Sequence, residues 1–224
     1  MRYVISLVIA VFAVGCSVRG GPPPEPVNTE ELAIVSDSAA DSLLVDVRTD
    51  APALRVGLRY ATAENFTALP LPGYEGNHAY LRRPAAAALA RVQRRAEREG
   101  LGLLVFDAYR PVRATQAMVD WTQRTGRTDL LRDGYIASRS RHNLGLAIDL
   151  TLVDLGTGTP LEMGTPFDTF SSAAHTSNAT GTALANRRRL QRLMESEGFL
   201  NYDQEWWHYS YAIPNPVRFD RIIR

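Results

Sequence analysis

The sequence predicts an α+β fold, a single compact domain with a mainly antiparallel sheet flanked by helices. Three observations lead there. Helical and strand-like segments mix without the regular strand–helix–strand alternation of a parallel α/β sheet. The 224 residues suit one domain of moderate size, and no internal repeat interrupts them. A composition of 45% hydrophobic and 22% charged residues is that of a globular chain, which excludes collagen-like, low-complexity and wholly disordered classes.

The first 36 residues stand apart from that domain. Met1-Arg2-Tyr3 leads into an apolar run from Val4 to Val14 that ends in Gly15-Cys16, the pattern of a secretory signal over residues 1–15. The run is shorter than the about 20 residues of a membrane-spanning helix. Ala13-Val14-Gly15-Cys16-Ser17 resembles a bacterial lipobox, with Ala13 where that motif usually has Leu. Ordinary cleavage near Gly15 would instead leave Cys16 as an idle thiol. The single Cys sits where lipidation requires one, and by itself it forbids an internal disulfide. Residues 16–36 read as a Pro-rich tether, because Arg19-Gly-Gly-Pro-Pro-Pro-Glu-Pro26 can form neither helix nor sheet ladder. At about 3 Å per residue, its stretch 17–30 would reach roughly 40 Å. The expectation is an exported protein of the periplasm or cell envelope, lipid-anchored through Cys16, with its folded domain over 37–224.

Within the domain, residues 43–48 alternate in polarity and break at Asp50-Ala-Pro52, as an early strand would. Pro84 opens an Ala- and Arg-rich helix over 85–99, and Gly100 stops it. Residues 103–106 form a short buried strand that ends in Asp107-Ala-Tyr-Arg110-Pro111. A second helix spans 114–123 and ends near Gly126; residues 146–152 form another strand. Asn186 caps a third helix in which Leu190, Leu193 and Met194 fall at helical spacing. Its Arg187, Arg188, Arg189 and Arg192 read as a solvated face. Residues 205–211 close the set as an aromatic strand, and Gly156-Thr-Gly158 reads as a turn rather than a nucleotide loop.

Charge narrows the function. The 25 basic residues, all Arg, face 24 acidic ones, so no basic field exists to hold nucleic acid. The absence of Lys also excludes Schiff-base and P-loop lysine chemistry. Four His exist, at 78, 142, 175 and 208, and none belongs to a His-Glu-x-x-His pattern. Two have suggestive neighbours. His142 lies in a polar loop ahead of an apolar strand carrying Asp149, and Glu205-Trp-Trp-His208 sets an acid and an imidazole in an aromatic wall. Two His and one carboxylate suit a catalytic zinc with an open fourth position, leaving Glu205 free as a base. On a flat strand Glu205 and His208 would face opposite ways, so a bulge or turn is expected at Trp206–Trp207. On spacing alone, a lone His near a strand is more often a satisfied core or surface imidazole than a ligand.

The linked motifs go further. Tyr60-Ala-Thr-x-x-Asn65-Phe-Thr67, Asp107-Ala-Tyr-Arg110-Pro111, Ser140-x-His142-x-x-Gly145-x-Ala147-x-Asp149-Leu-Thr-Leu152, Met163-Gly164-x-x-Phe167-Asp168 and Glu205-Trp-Trp-His208-Tyr209 occur in this order over about residues 60–209. Together they resemble the D-alanyl-D-alanine dipeptidase family of VanX type. The resemblance implies one zinc ion per chain, held by His142, Asp149 and His208. It implies Glu205 as general base and Arg110 as the cation that stabilises the oxyanion. Asp168 and Tyr60 match positions that hold the substrate's free amino group, and Ser140 matches a further substrate contact. His78 and His175 match no ligand position and read as structural or surface residues.

The implied reaction is zinc-dependent hydrolysis of D-Ala-D-Ala to two D-Ala, in cell-wall peptide turnover or recycling. An anionic Asp168 paired with the substrate ammonium would measure length, since a longer peptide has an amide there. The alternative is a D,D-carboxypeptidase trimming peptidoglycan stem peptides, which would need the amino side open. A non-catalytic lipoprotein binding wall peptides is a third reading, opposed by the complete His142, Asp149, His208, Glu205 and Arg110 set. The partners expected are the small dipeptide and, through the N-terminal anchor, a membrane; no nucleic acid or protein partner is implied. The export signal departs from family members that serve glycopeptide resistance on the cytoplasmic dipeptide pool, which favours wall turnover or nutrient recovery.

Overall fold

The computed structural model describes residues 32–224. The expected signal segment, the lipidated Cys16 and the tether up to residue 31 lie outside the described residues. Residues 32–35, assigned to the tether on sequence, lie against the domain instead. Ile34 bridges Arg218 in parallel, and Arg218 Nε donates to the Leu32 carbonyl at 2.6 Å.

Ser36 caps α1 (Asp37–Leu43), its side chain accepting from Ala39 N at 3.3 Å. β1 (Leu44–Asp46) follows directly and pairs antiparallel with β3 (Tyr80–Arg82). The main sheet orders five strands as β2 (Arg55–Val56), β4 (Leu101–Asp107), β5 (Ala147–Asp154), β7 (His208–Ser210) and β6 (Leu200–Asn201). β2 runs parallel to β4, and the other pairings are antiparallel. The fold is the expected single α+β domain with a mainly antiparallel sheet.

α2 (Arg83–Glu97) starts at Pro84 and presents Ala85, Ala86, Ala88, Leu89, Val92 and Ala96 inward. Small side chains let it approach β4 closely, where buried Gln93 accepts from Leu103 N at 2.9 Å. α5 (Gly181–Glu195) packs beside α2 and against β5. The connection from β4 holds α3 (Val112–Thr125), capped by Gly126 at φ +71°, and the short α4 (Asp129–Arg132). Neither α2 nor α5 lines the cavities on the other face of the sheet, so these helices leave that face free for chemistry.

Three expectations change. α5 begins at Gly181 with Thr180 as its N-cap, so Asn186 is not the cap; its amide crosses to the Glu162 carbonyl at 2.8 Å. Arg187 belongs to no solvated face, being 0% exposed. The final strand starts only at His208, because the chain turns through Trp206 and Trp207.

A candidate metal and peptide site

Register assembles the site. β4 and β5 pair with a bulge between Val105 and Asp107, which brings Asp107 opposite Asp149. On the next strand Asp149 pairs with His208. Three adjacent strands thus set Asp107, Asp149 and His208 in one row.

His142 joins them from a 3₁₀ turn over Arg141–Leu144. Ser140 opens that turn by accepting from His142 N at 3.2 Å, and Gly145 closes it at φ +62°. A Cβ on Gly145 would lie 2.7 Å from Leu44 Cδ2, so the loop packs directly on β1. His142 Nδ1 donates to the Ala108 carbonyl at 2.5 Å, which leaves the Nε2 lone pair aimed at the row of strands. Nε2 lies 3.2 Å from His208 Nδ1 and 3.4 Å from Asp149 Oδ2, while His208 Nδ1 lies 2.9 Å from Asp149 Oδ1. Among the described residues, His142, Asp149 and His208 are the one His/Cys/Asp/Glu group whose ligand atoms converge, all within 4.8 Å. A His₂-carboxylate set suits zinc and leaves a coordination position open.

The turn ahead of β7 brings Glu205 to the same side. Glu205 accepts at its carbonyl from His208 N at 3.1 Å, which folds the three-residue step back on itself. Asn201 clamps both ends, its amide donating to the Glu205 carbonyl at 3.1 Å and the His208 carbonyl at 3.0 Å. Thr176 Oγ1 in turn donates to the Asn201 side-chain oxygen Oδ1 at 2.6 Å. Glu205 Oε2 then lies 3.9 Å from His208 Nδ1.

Arg110 faces the group from the end of β4. Its Nε donates to Asp107 Oδ2 at 2.9 Å, its Nη1 to Met118 Sδ at 3.3 Å, and its Nη2 stands 3.8 Å from Asp149 Oδ2. The salt bridge to Asp107 and exposure to the site coexist in one side chain. Tyr74 completes the support by donating to Asp107 Oδ1 at 2.6 Å. The Arg110 guanidinium also lies 5.0 Å over the Tyr60 ring, and Tyr60 donates to Asp168 Oδ1 at 3.0 Å. The second Asp168 oxygen, Oδ2, is buried without a protein partner.

Tyr60, Arg110, Ser140, His142, Asp149, Asp168, Glu205 and His208 all line one cavity of about 280 Å³. That volume falls just under the roughly 300 Å³ at which sites for drug-sized ligands begin, so it suits a small ligand. His78 and His175 lie elsewhere, His78 paired with Asp46 at 2.7 Å and His175 bonded to the Tyr135 hydroxyl at 3.1 Å.

Carboxylates crowd the site. Asp107, Asp149, Asp168 and Glu205 gather near Arg110, and Arg139 and Arg141 also line the cavity. Burial, reinforced by the Asp149 charge, pushes the Asp168 carboxyl up to about 8. Burial likewise raises Glu205 well above the ordinary carboxylate range, with Asp149 and Asp168 adding to it. Burial also works against the Asp149 carboxylate, yet the His142 and His208 imidazoles together hold it below its usual range. A cation at the triad and a substrate ammonium would each favour the ionised carboxylates.

Comparison with known proteins agrees with this chemistry. The Peptidase_M15 family, described as D-ala-D-ala dipeptidase, matches residues 40–218. The D-alanyl-D-alanine dipeptidase of Enterococcus faecalis is 40% identical over 184 residues, 75% of this chain and 88% of that protein. That of Streptomyces coelicolor is 37% identical over 185 residues, covering 76% and 88%. That of Escherichia coli is 36% identical over 168 residues, covering 74% and 83%. The chain belongs to the Peptidase_M15 family of D-Ala-D-Ala dipeptidases.

Within that family frame, the structure adds supporting residues. Asp107, three residues before Arg110, makes the salt bridge to it that the sequence offered as a structural role for Arg110. Asn143 lies beside His142, its amide donating to the Arg110 carbonyl and to Thr115 Oγ1, both at 2.9 Å. Tyr74 and Arg187 had no comparable signal, because their partners are distant in sequence; Asn201 clamps a turn only four and seven residues on, but no motif marks it.

Proposed function

We propose that this chain hydrolyses the D-Ala-D-Ala dipeptide to two D-Ala, using one zinc ion held by His142, Asp149 and His208. The observation that carries the reading is the convergence of those ligand atoms within 4.8 Å beside a buried Glu205 and Arg110. Zinc, when bound there, supplies Lewis acidity and acidification of water. Glu205, its Oε2 3.9 Å from His208 Nδ1, takes the proton of the attacking water and returns it to the leaving amine. Burial raises its proton affinity, and positive charge at the triad would lower it again.

Arg110 faces the oxyanion that forms at the scissile carbonyl. It is a permanent cation, and Asp107, Tyr74 and the backbone bond to Asn143 fix it before substrate arrives. Asp168 and the Tyr60 hydroxyl receive the substrate ammonium, which takes the place of the Asp168 proton. Ser140 spends its lone pair on His142 N and keeps its hydroxyl hydrogen for the substrate. A peptide extended at its amino end would leave Asp168 buried without its cation, so the site favours the free dipeptide. The export expectation places this activity outside the inner membrane, in wall-peptide turnover.

The test is release of free D-Ala from D-Ala-D-Ala by the purified protein. Two D-Ala per dipeptide, abolished by chelation and restored by zinc, is the expected result. Release that persists in a chelated, zinc-free sample contradicts the reading.

A further inference from the structure

We infer that Arg187 is a positioning residue for substrate recognition, holding the loop that presents Asp168 to the dipeptide's amino end. The inference rests on the reading of Asp168 above. Arg187 is fully buried on α5, and its guanidinium is met by neutral oxygens. Nε donates to the Met163 carbonyl at 2.6 Å, Nη1 to that of His175 at 2.7 Å, and Nη2 to that of Ala173 at 3.0 Å and to Thr165 Oγ1 at 3.5 Å. Burying a permanent cation among neutral groups is unfavourable in itself. Its effect is geometric: one rigid planar fork gathers both ends of the segment 163–175.

That segment needs an anchor. Residues 163–168 all line a second cavity of about 790 Å³, and Asp168 at their end also lines the site cavity of about 280 Å³. Open space beside the segment leaves less packing to hold Asp168 in place. Asp168 also sits at φ +60°, a left-handed conformation that a non-glycine residue keeps only when its surroundings impose it. Gly164, at φ +83°, lets the chain pass over the guanidinium: a Cβ there would lie 3.3 Å from Arg187 Nη2 and 3.1 Å from Ala183 Cβ.

The same loop reaches the turn of the general base. Thr165 Oγ1 accepts from Trp206 Nε1 at 2.9 Å, and Trp206 N donates to the Ala174 carbonyl at 3.1 Å. The Asn201 amide holds the Glu205 turn independently at the Glu205 and His208 carbonyls, so loosening Arg187 is felt first at Asp168. Lys at 187 keeps the charge but gathers its donors at one point, and it cannot span three carbonyls.

The test compares Arg187→Lys, Asp168→Asn and the double variant in steady-state hydrolysis of D-Ala-D-Ala, with zinc content measured alongside. Arg187→Lys is expected to raise KM about tenfold, with kcat changed less than about threefold and zinc content unchanged. In the Asp168→Asn background the same substitution should add no further rise. An unchanged KM in Arg187→Lys, or an equal rise in both backgrounds, overturns the assignment. Asp168→Asn leaving KM unchanged overturns the ammonium reading itself. Should Arg187→Lys fail to fold, Gly164→Ala presses on the same guanidinium from the loop side and is read by the same criteria.

Discussion

At the scale of single residues, the site works by setting ionisable groups against their surroundings. Glu205 is buried near two other carboxylates, and burial together with their charge raises its proton affinity. Glu205→Gln keeps the shape of the side chain and removes the proton acceptor. It should lower kcat by about 10²–10⁴ while zinc content stays that of the parent, as steady-state assays and metal analysis would register. Asp168 gives a prediction in the metal-free protein. Its folded-state value of about 8 stands above the ordinary 3.8, so the stability it allows is present at low pH and lost as pH rises through 8. Asp168→Asn cannot ionise. Metal-free Asp168→Asn should therefore melt several degrees above the metal-free parent at pH 8.5, with the gap closing near pH 4. A gap independent of pH would remove burial of the charge as the cause.

At the scale of elements, register and tight turns do the positioning. The β4 bulge and the pairing of β5 with β7 set Asp107, Asp149 and His208 in one row, and the Gly145 turn delivers His142 to it. Gly145→Ala would place a methyl 2.7 Å from Leu44 at a positive φ. It should destabilise the protein by about 1–3 kcal/mol in urea unfolding and weaken zinc retention on dialysis, because the displaced turn carries a ligand. Much of this architecture was legible in the sequence. Pro84 and Gly100 bracket α2, the apolar runs mark β4 and β5, and the three-residue step from Glu205 to His208 requires the turn that is found. What was not legible has a common cause. α1, β2 and α4 are elements of seven, two and four residues, too short for a periodic pattern to mark them. Arg187 sits in a run of arginines that looks solvated, and only the carbonyls of a loop 12 to 24 residues upstream reveal otherwise.

At the scale of the whole molecule, a near-neutral chain concentrates four carboxylates, two imidazoles and three guanidiniums in and around a single small cavity. One face of the sheet is covered by α2 and α5 and carries the stability; the other holds the ionisable cluster. The composition of the chain hides this concentration, since Arg side chains elsewhere balance it. The motifs disclosed the cluster only because five of them occur together in order. The central claim is that this cavity recognises a free dipeptide by both its reacting carbonyl and its ammonium.

The most direct test offers the zinc-loaded protein D-Ala-D-Ala and a stem pentapeptide ending in D-Ala-D-Ala, in separate reactions at equal concentration, and follows release of D-Ala from each. The account predicts rapid release from the dipeptide and at least about 10²-fold slower release from the pentapeptide, the loss expected when a buried carboxylate is left without its cation. Comparable release from both, or faster release from the pentapeptide, would contradict it and mark the amino side of the cavity as open.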